Sequence, residues 1–231
     1  DAQVQINTAV DFYHDRFKAR PTGMWPSEES VSKEVLPLIA KAGIKWIVTD
    51  EEILFKSLNR KKRDTDILYQ PHFVDTKEGN VAIVFRDRNL SDLIGFVYHN
   101  MEPKAAVDDF ILHLENIAEH FDKEDVLVTI AMDGENAWEY YANDGHDFLE
   151  LLYQRLSDCD FVRTVTVSEY LKMFPAKRVL KTIAAGSWIY SEFGKWIGHP
   201  TKVKAWEYLA LARQALEEVS RNPQVWEALK P

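Results

Sequence analysis

The chain has 231 residues, of which 46% are hydrophobic and 28% charged, and its net charge is −9. This length predicts one domain with at most a small appendage, and the composition is too apolar for a disordered protein. The acidic balance argues against nucleic acid as a partner, and no apolar run is long enough for a membrane-spanning helix. The single cysteine, Cys159, excludes an internal disulfide and a cysteine-based zinc site.

Helices and strands alternate along the sequence. Apolar residues recur at helical spacing in several segments, and short β-branched runs separate these segments. Ser30 is a candidate N-cap and Gly43 a candidate stop for the second helix. The predicted elements, in chain order, are a helix over 3–17, a strand at 24–25, a helix over 31–42, a strand over 44–49, a strand over 81–85, a helix over 90–98, a helix over 103–121, a strand over 126–131, a helix over 146–157, a strand over 162–167, a short helix from 168 and a helical region over 200–229.

About five parallel strands alternating with helices are typical of an α/β barrel or a doubly wound sheet. Two predicted loops, 55–80 and 175–200, use much of the length, whereas a full eight-unit barrel takes about 250 residues. The first predicted element is a helix, so we expect an incomplete barrel with open edges at strands 24–25 and 162–167. The apolar face of the first helix is expected to pack beside the helix over 31–42; it consists of Ile6, Val10, Tyr13 and Phe17.

Several predicted strands are followed directly by charged residues. In parallel α/β folds the functional side chains lie beyond the carboxyl ends of the strands, so these residues are expected to meet at one rim. Asp133 follows seven largely apolar residues, and Gly134 allows the backbone to turn away from it. An Asx-turn or a helix N-cap is the structural alternative for Asp133.

Paired carboxylates with aromatic neighbours suit the cleavage of a glycosidic bond. One carboxylate attacks the sugar, and the other, when protonated, delivers a proton to the leaving oxygen. His113 and His120 lie seven residues apart on one helix without a further ligand, so we expect surface histidines and no metal site. No nucleotide-binding glycine motif occurs, and we expect no cofactor.

Three segments resemble motifs of glycoside hydrolase family 57, the retaining α-glucan enzymes that include α-amylase, amylopullulanase, 4-α-glucanotransferase and branching enzyme. Residues 23–28 (GMWPSE) resemble the third motif, and the similarity continues over 42–51. Residues 132–139 (MDGENAWE) resemble the fourth motif, and residues 186–189 with 196–200 resemble the fifth. The first motif, His-Gln-Pro, and the second have no counterpart in the sequence.

The resemblance implies the C-terminal part of a (β/α)7 barrel followed by helices, with a partial catalytic domain over 1–200 and a helical segment over 201–231 packed on it. It implies Glu28 as the nucleophile and Asp133 as the acid/base of a retaining reaction, with carboxyl groups about 5–5.5 Å apart. The residues expected to bind substrate are Trp25, Asp50, Glu51, Trp138, Trp188, Trp196 and His199.

The expected partner is an α-glucan or oligosaccharide, with no nucleic acid and no membrane. A second copy or an N-terminal segment is expected to cover the open edges. The sequence leaves open whether the enzyme is a hydrolase or a transferase and whether it acts on α-1,4 or α-1,6 linkages. Two alternatives also remain: a catalytically silent carbohydrate-binding protein, and a metal-dependent polysaccharide deacetylase of a related barrel. Because no signal peptide precedes the first helix, we expect a soluble protein with a slight preference for the cytoplasm, although the compartment stays open.

Overall fold

The computed structural model describes residues 1–122, 125–134 and 137–219. The chain divides into two compact units, Asp1–Ser191 and Glu192–Pro231. The predicted domain boundary after residue 200 stays a prediction. The helices and strands are α1 (Ala2–Phe17), β1 (Gly23–Met24), α2 (Leu36–Lys41), β2 (Trp46–Asp50), α3 (Glu51–Ser57), α4 (Thr65–Leu68), β3 (His72–Thr76), β4 (Gly79–Arg86), α5 (Arg88–Asp92), α6 (Pro103–His120), α7 (His146–Asp158), α8 (Val167–Met173), β5 (Arg178–Val179) and α9 (Pro200–Val219).

One sheet of five strands organises the first unit, with the order β1-β2-β4-β3-β5. The pairs β1–β2, β2–β4 and β3–β5 are parallel, and β3–β4 is antiparallel. The described strands form an open sheet rather than a closed barrel, which confirms the predicted α/β class with an incomplete, mostly parallel barrel. Strands β2 and β4 lie side by side with Asp50 opposite Arg86, so their carboxyl ends meet at one rim.

The loops predicted over 55–80 and 175–200 are partly wrong, because they contain strands. The turn between β3 and β4 is a tight hairpin, in which Thr76 Oγ1 accepts a hydrogen bond from Glu78 N and donates one to Gly79 O. Gly79 takes φ 115°, a conformation that favours glycine. Strand β5 has two residues, too few for an alternating pattern to show in the sequence.

The segments 126–131 and 162–167, which were predicted as strands, do not form strands in the structure. Within 126–131 the backbone forms a single bridge, between Thr129 and Arg86, and Leu127 N donates to Tyr69 O at 2.9 Å. Residues 162–167 lie in no strand, so the second sheet edge is β5 and not this segment. The apolar side chains that suggested strands pack into hydrophobic clusters instead, as Val162 and Val165 do. The predicted edge at β1 is confirmed, and the prediction that another segment covers the edges stays a prediction.

The second helix is shorter than predicted and begins at Leu36. Val31 does not start it, because its backbone exchanges two hydrogen bonds with Gly186, at 2.9 and 3.1 Å. This bridge holds the segment after β1 against the segment that carries Trp188. Ser30 therefore lies in an extended connection, and the N-cap of α2 is Val35 and not Ser30.

Helix α1 packs beside α2 as predicted, with Gln3 Nε2 donating to Leu38 O at 3.2 Å. Only half of its predicted apolar face is buried: Ile6 and Val10 join the core, while Tyr13 and Phe17 are 42% and 68% exposed. The main core lies between the sheet and helices α1 to α3, and a second cluster joins α6 to α7.

The other long helices agree closely with the sequence prediction, at Pro103–His120 and His146–Asp158. The predicted helical region over 200–229 begins as expected and is described to Val219; residues 220–229 lie outside the described residues. No helix in the described part of the chain is long and apolar enough to cross a bilayer.

Candidate active site

Glu28 lies in a single helical turn, Ser27–Glu29, directly after β1. Its backbone has φ 57°, so the chain reverses sharply at this residue. The Glu28 carboxylate accepts a hydrogen bond through Oε2 from Trp188 Nε1 at 2.8 Å, and Glu28 O accepts one from Trp188 N at 3.0 Å. Two bonds from one residue fix both the backbone and the side chain of Glu28.

Gly186 explains how Trp188 reaches Glu28. A Cβ atom at Gly186 would overlap the backbone of Ser191, and it would lie 2.9 Å from the side-chain atom Ile53 Cδ1. The close approach therefore requires glycine and lets the 186–191 segment fold back tightly on itself. The resemblance to the fifth motif pointed to Trp188, and the structure places this residue against Glu28.

Trp25 and Trp188 form a pair of aromatic rings beside Glu28. The ring centroids are 5.4 Å apart and the rings are inclined by 70°, an edge contact. Trp25 is 40% exposed, so one of its surfaces faces solvent. The structure therefore brings together three of the predicted residues: Glu28, Trp25 and Trp188.

Glu29 is a residue of the site that the sequence prediction missed. Its side chain is completely buried, and Trp25 Nε1 donates to its Oε1 at 3.4 Å. Burial raises the pKa of the Glu29 carboxyl to about 8, against the lowering effect of Arg86. The missed signal was the second carboxylate of the Glu28-Glu29 pair, which had no assigned role.

Arg86 connects the elements around the site. Its guanidinium lies 5.4 Å from the centroid of a Trp188 ring and pairs with Asp92 at 2.5 Å and Asp50 at 3.7 Å. Arg86 Nε also donates to Ala131 O at 2.8 Å, two residues before Asp133. Arg86 thus links the Trp188 side of the site to the segment that carries Asp133. Arg86 directly follows the strand predicted over 81–85, so it is one of the charged strand-end residues, but the sequence prediction gave it no function.

Asp50 and Glu51 are buried at the carboxyl end of β2, each beside an arginine. Asp50 accepts hydrogen bonds from Arg88, and burial raises the pKa of its carboxyl in spite of that partner. Glu51 pairs with Arg63 at 2.9 Å, and Arg63 also reaches Asp87 at 2.8 Å. Burial likewise raises the pKa of the Glu51 carboxyl. These carboxylates form an internal charged network beneath the rim.

Asp133 is partly buried and follows the segment held by Arg86. Ala131 fixes that segment from two sides, since its N donates to Ser91 Oγ at 3.2 Å and its O accepts from Arg86. Residues 135 and 136 of the same motif lie outside the described residues. The spacing of about 5–5.5 Å between the carboxyl groups of Glu28 and Asp133 stays a prediction.

The other predicted substrate residues lie in different surroundings. Trp138 packs against Tyr141 and Phe148, with centroids 5.4 and 6.5 Å apart, at the edge of the second hydrophobic cluster. Trp196 and His199 belong to the second unit, where Trp196 O accepts from Trp206 Nε1 at 3.2 Å. Substrate binding by these three residues stays a prediction.

His113 and His120 lie on the surface, each near one aspartate, Asp109 and Asp66. Across the ranges that the structure describes, no group of three or more histidine, cysteine or acidic side chains is arranged to hold a metal ion. Two open surface pockets, of about 590 and 270 Å³, are lined by residues around Arg63 and His120, and Glu28 lines neither of them.

Comparison with known proteins identifies the family. The family model for glycosyl hydrolase family 57 matches residues 1–184. The chain belongs to this family. No curated protein sequence matches the chain.

Solved structures of family 57 enzymes share the fold. The 4-α-glucanotransferase from Thermococcus litoralis is similar with 17% identity and a TM-score of 0.66, over 94% of this chain and 32% of its own. The α-amylase AmyC from Thermotoga maritima gives 15% identity and a TM-score of 0.69, over 97% and 54%. A branching enzyme from Pyrococcus horikoshii has 17% identity and a TM-score of 0.68, and the match covers 87% of this chain and 47% of that enzyme. The chain therefore spans about a third to a half of the length of these enzymes.

Proposed function

We propose that this chain carries the catalytic face of a retaining α-glucan-active enzyme, with Glu28 as the nucleophile and Asp133 as the acid/base. The observation that carries this proposal is the hydrogen bond of 2.8 Å from Trp188 Nε1 to Glu28 Oε2. It holds a carboxylate at a strand end in one orientation beside an open aromatic pair. Membership of family 57 supports a glycosidic substrate.

In the proposed reaction, Glu28 attacks the anomeric carbon and Asp133 protonates the departing oxygen, so a covalent glycosyl-enzyme forms. Asp133 then accepts the proton of an incoming hydroxyl, and Glu28 leaves. The bond from Trp188 engages Oε2, which leaves Oε1 of Glu28 available for the attack. Because the nucleophile is fixed before substrate arrives, little orientation has to be gained at the transition state.

The proposed sugar contacts are made by aromatic rings. Trp25, which is 40% exposed, is suited to stacking on a sugar face next to Trp188. Asp50 and Glu51 are buried against arginines, so we propose that they position Arg88 and Arg63 rather than touch the glucan. Trp138, Trp196 and His199 remain proposed contacts of the sugar chain.

The structural relatives include a glucanotransferase, an amylase and a branching enzyme, so transfer and hydrolysis are both within the proposal. A silent carbohydrate-binding protein is the second candidate, because the exposed Trp25 beside Trp188 could bind a glucan without turnover. The family match favours either candidate over the deacetylase alternative.

Product analysis of maltooligosaccharide digests by proton NMR tests the proposal. We expect the first products to be new α-linked oligosaccharides or sugars released as the α-anomer. Glu28→Gln should form neither. Asp133→Asn should slow substrates with poor leaving groups more than an aryl glycoside, because a good leaving group needs little protonation. Glu78→Gln, at the exposed β3–β4 turn, is the matched control and should behave as the parent chain.

Initial release of β-anomers would contradict retention. The silent carbohydrate-binding protein would instead be supported if the chain binds maltoheptaose without forming any product and Glu28→Gln binds it with the same affinity.

A further inference from the structure

Glu29 is a completely buried acidic side chain immediately after the proposed nucleophile. Its backbone has φ 52°, so Glu28 and Glu29 adopt the left-handed conformation in succession. Among the residues that the structure describes, none donates to or accepts from its Oε2. A buried carboxyl group with an orphan oxygen is costly, and such groups in a native fold call for an explanation.

A continuous series of contacts leads from Glu29 to Glu28. Trp25 Nε1 donates to Glu29 Oε1 at 3.4 Å, and Trp25 meets Trp188 edge to face at 5.4 Å. Trp188 Nε1 in turn donates to Glu28 Oε2 at 2.8 Å. On the other side, Thr49 Oγ1 donates to Glu29 O at 2.7 Å and ties this residue to β2. Glu29 therefore joins a rigid strand to the aromatic pair.

Charges of both signs act on the Glu29 carboxyl. Arg86 on β4, Arg88 on α5 and Asp50 at the end of β2 all act on it. Both guanidinium groups are already engaged by Asp50, and Arg86 is also paired with Asp92, so neither offers Glu29 a dedicated partner. Burial consequently dominates and raises the pKa of the carboxyl to about 8. Near neutral pH Glu29 is an uncharged acid.

We propose that Glu29 is a positioning residue, whose buried carboxylic acid holds the Trp25 indole against Trp188 and thereby orients the Glu28 carboxylate. The effect on Glu28 as a nucleophile rests on the proposed function, whereas the hold on the two indoles does not. The neutral amide in Glu29→Gln can still accept from Trp25, whereas Glu29→Ala removes the acceptor and leaves a cavity.

Indole N–H signals of ¹⁵N-tryptophan-labelled chain test the proposal between pH 5.5 and 9.5. Trp25→Phe and Trp188→Phe identify the two signals among those of the seven tryptophans. In the parent chain the Trp25 signal should titrate with a midpoint near 8, and the Trp188 signal should follow it. Glu29→Gln should keep both signals near their parent positions at pH 6.5 and abolish the titration. Glu29→Ala should displace both.

Turnover of an aryl maltooligosaccharide gives the functional readout. We expect Glu29→Ala to lower kcat by about ten- to a hundredfold with a smaller change in KM, since misplacement of a reacting group has effects of this size. Glu29→Gln should retain activity at pH 6.5 and lose the pH dependence centred near 8.

A Trp25 signal that does not titrate above pH 6, or one that titrates identically in Glu29→Gln, would overturn the proposal. Because that comparison needs only the parent chain and the amide variant, it stands even where Glu29→Ala does not fold. Indole signals that titrate in a chain without any glucan turnover would support the positioning role of Glu29 and count against the proposed enzymatic function. Failure of the positioning proposal and failure of the proposed function are therefore distinguishable.

Discussion

The buried Glu29 carboxyl should make the stability of the fold depend on pH. Its pKa is about 8 in the folded chain, against an ordinary value of 4.5. Between these two pH values the unfolded chain has released a proton that the folded chain still holds. The stabilisation is therefore complete below pH 4.5 and is lost as pH rises through 8. At about 1.4 kcal/mol per pH unit, the free energy of unfolding should fall by up to about 5 kcal/mol across this window.

Urea denaturation of the parent chain and Glu29→Gln at pH 5, 6.5, 8 and 9, followed by tryptophan fluorescence, measures this effect. The amide does not ionise, so the difference in unfolding free energy between variant and parent should grow in favour of Glu29→Gln as pH rises. Glu78→Gln removes an exposed carboxylate and should track the parent at every pH. Parallel pH curves for the parent and Glu29→Gln would refute the reasoning that Glu29 is buried as an acid.

Three further substitutions test the contacts of the site. Arg86→Met should destabilise the fold by about 1–3 kcal/mol in thermal or urea unfolding, because it removes the hydrogen bond to Ala131 O and one of the two cations beside buried Asp50; an unchanged free energy of unfolding would contradict a central role for this arginine. Trp188→Phe keeps a ring but removes the donor to Glu28, so kcat should fall about tenfold or more with the fold intact by circular dichroism, and an unchanged kcat would show that the bond is not needed. Gly186→Ala should cost about 1–3 kcal/mol of unfolding free energy, because its Cβ overlaps a neighbouring backbone, and a neutral effect would contradict the tight turn.

The long amphipathic helices were predictable because their apolar residues recur at helical spacing and so form one buried face. Helices α6 and α7 begin and end within one residue of the prediction. The strand β4 was found for a similar reason, since its run of apolar residues is buried between β2 and β3. The spacing of apolar residues gave a wrong prediction where strand formation depends on a pairing partner. The apolar run over 126–131 is packed as a strand would be, but its backbone forms only one bridge.

The candidate site was predictable only in part. Motif resemblance pointed to Glu28, Trp25 and Trp188, and the structure brings these three together. The sequence prediction missed Glu29 because its significance comes from burial. It missed the role of Arg86 because that role depends on partners more than 30 positions away, such as Ala131. Neither burial nor a distant partner is visible in a single sequence.

The central claim, that Glu28 is the nucleophile, is tested most directly by trapping the glycosyl-enzyme. The chain would be incubated with a fluorinated maltosyl fluoride, which slows release of the intermediate, and then digested and sequenced by mass spectrometry. One fluorinated maltosyl group is expected on the peptide containing Glu28, and this label should be present in Glu78→Gln and absent in Glu28→Gln. A sugar attached to Glu29 or to another carboxylate, with Glu28 unmodified, would contradict it.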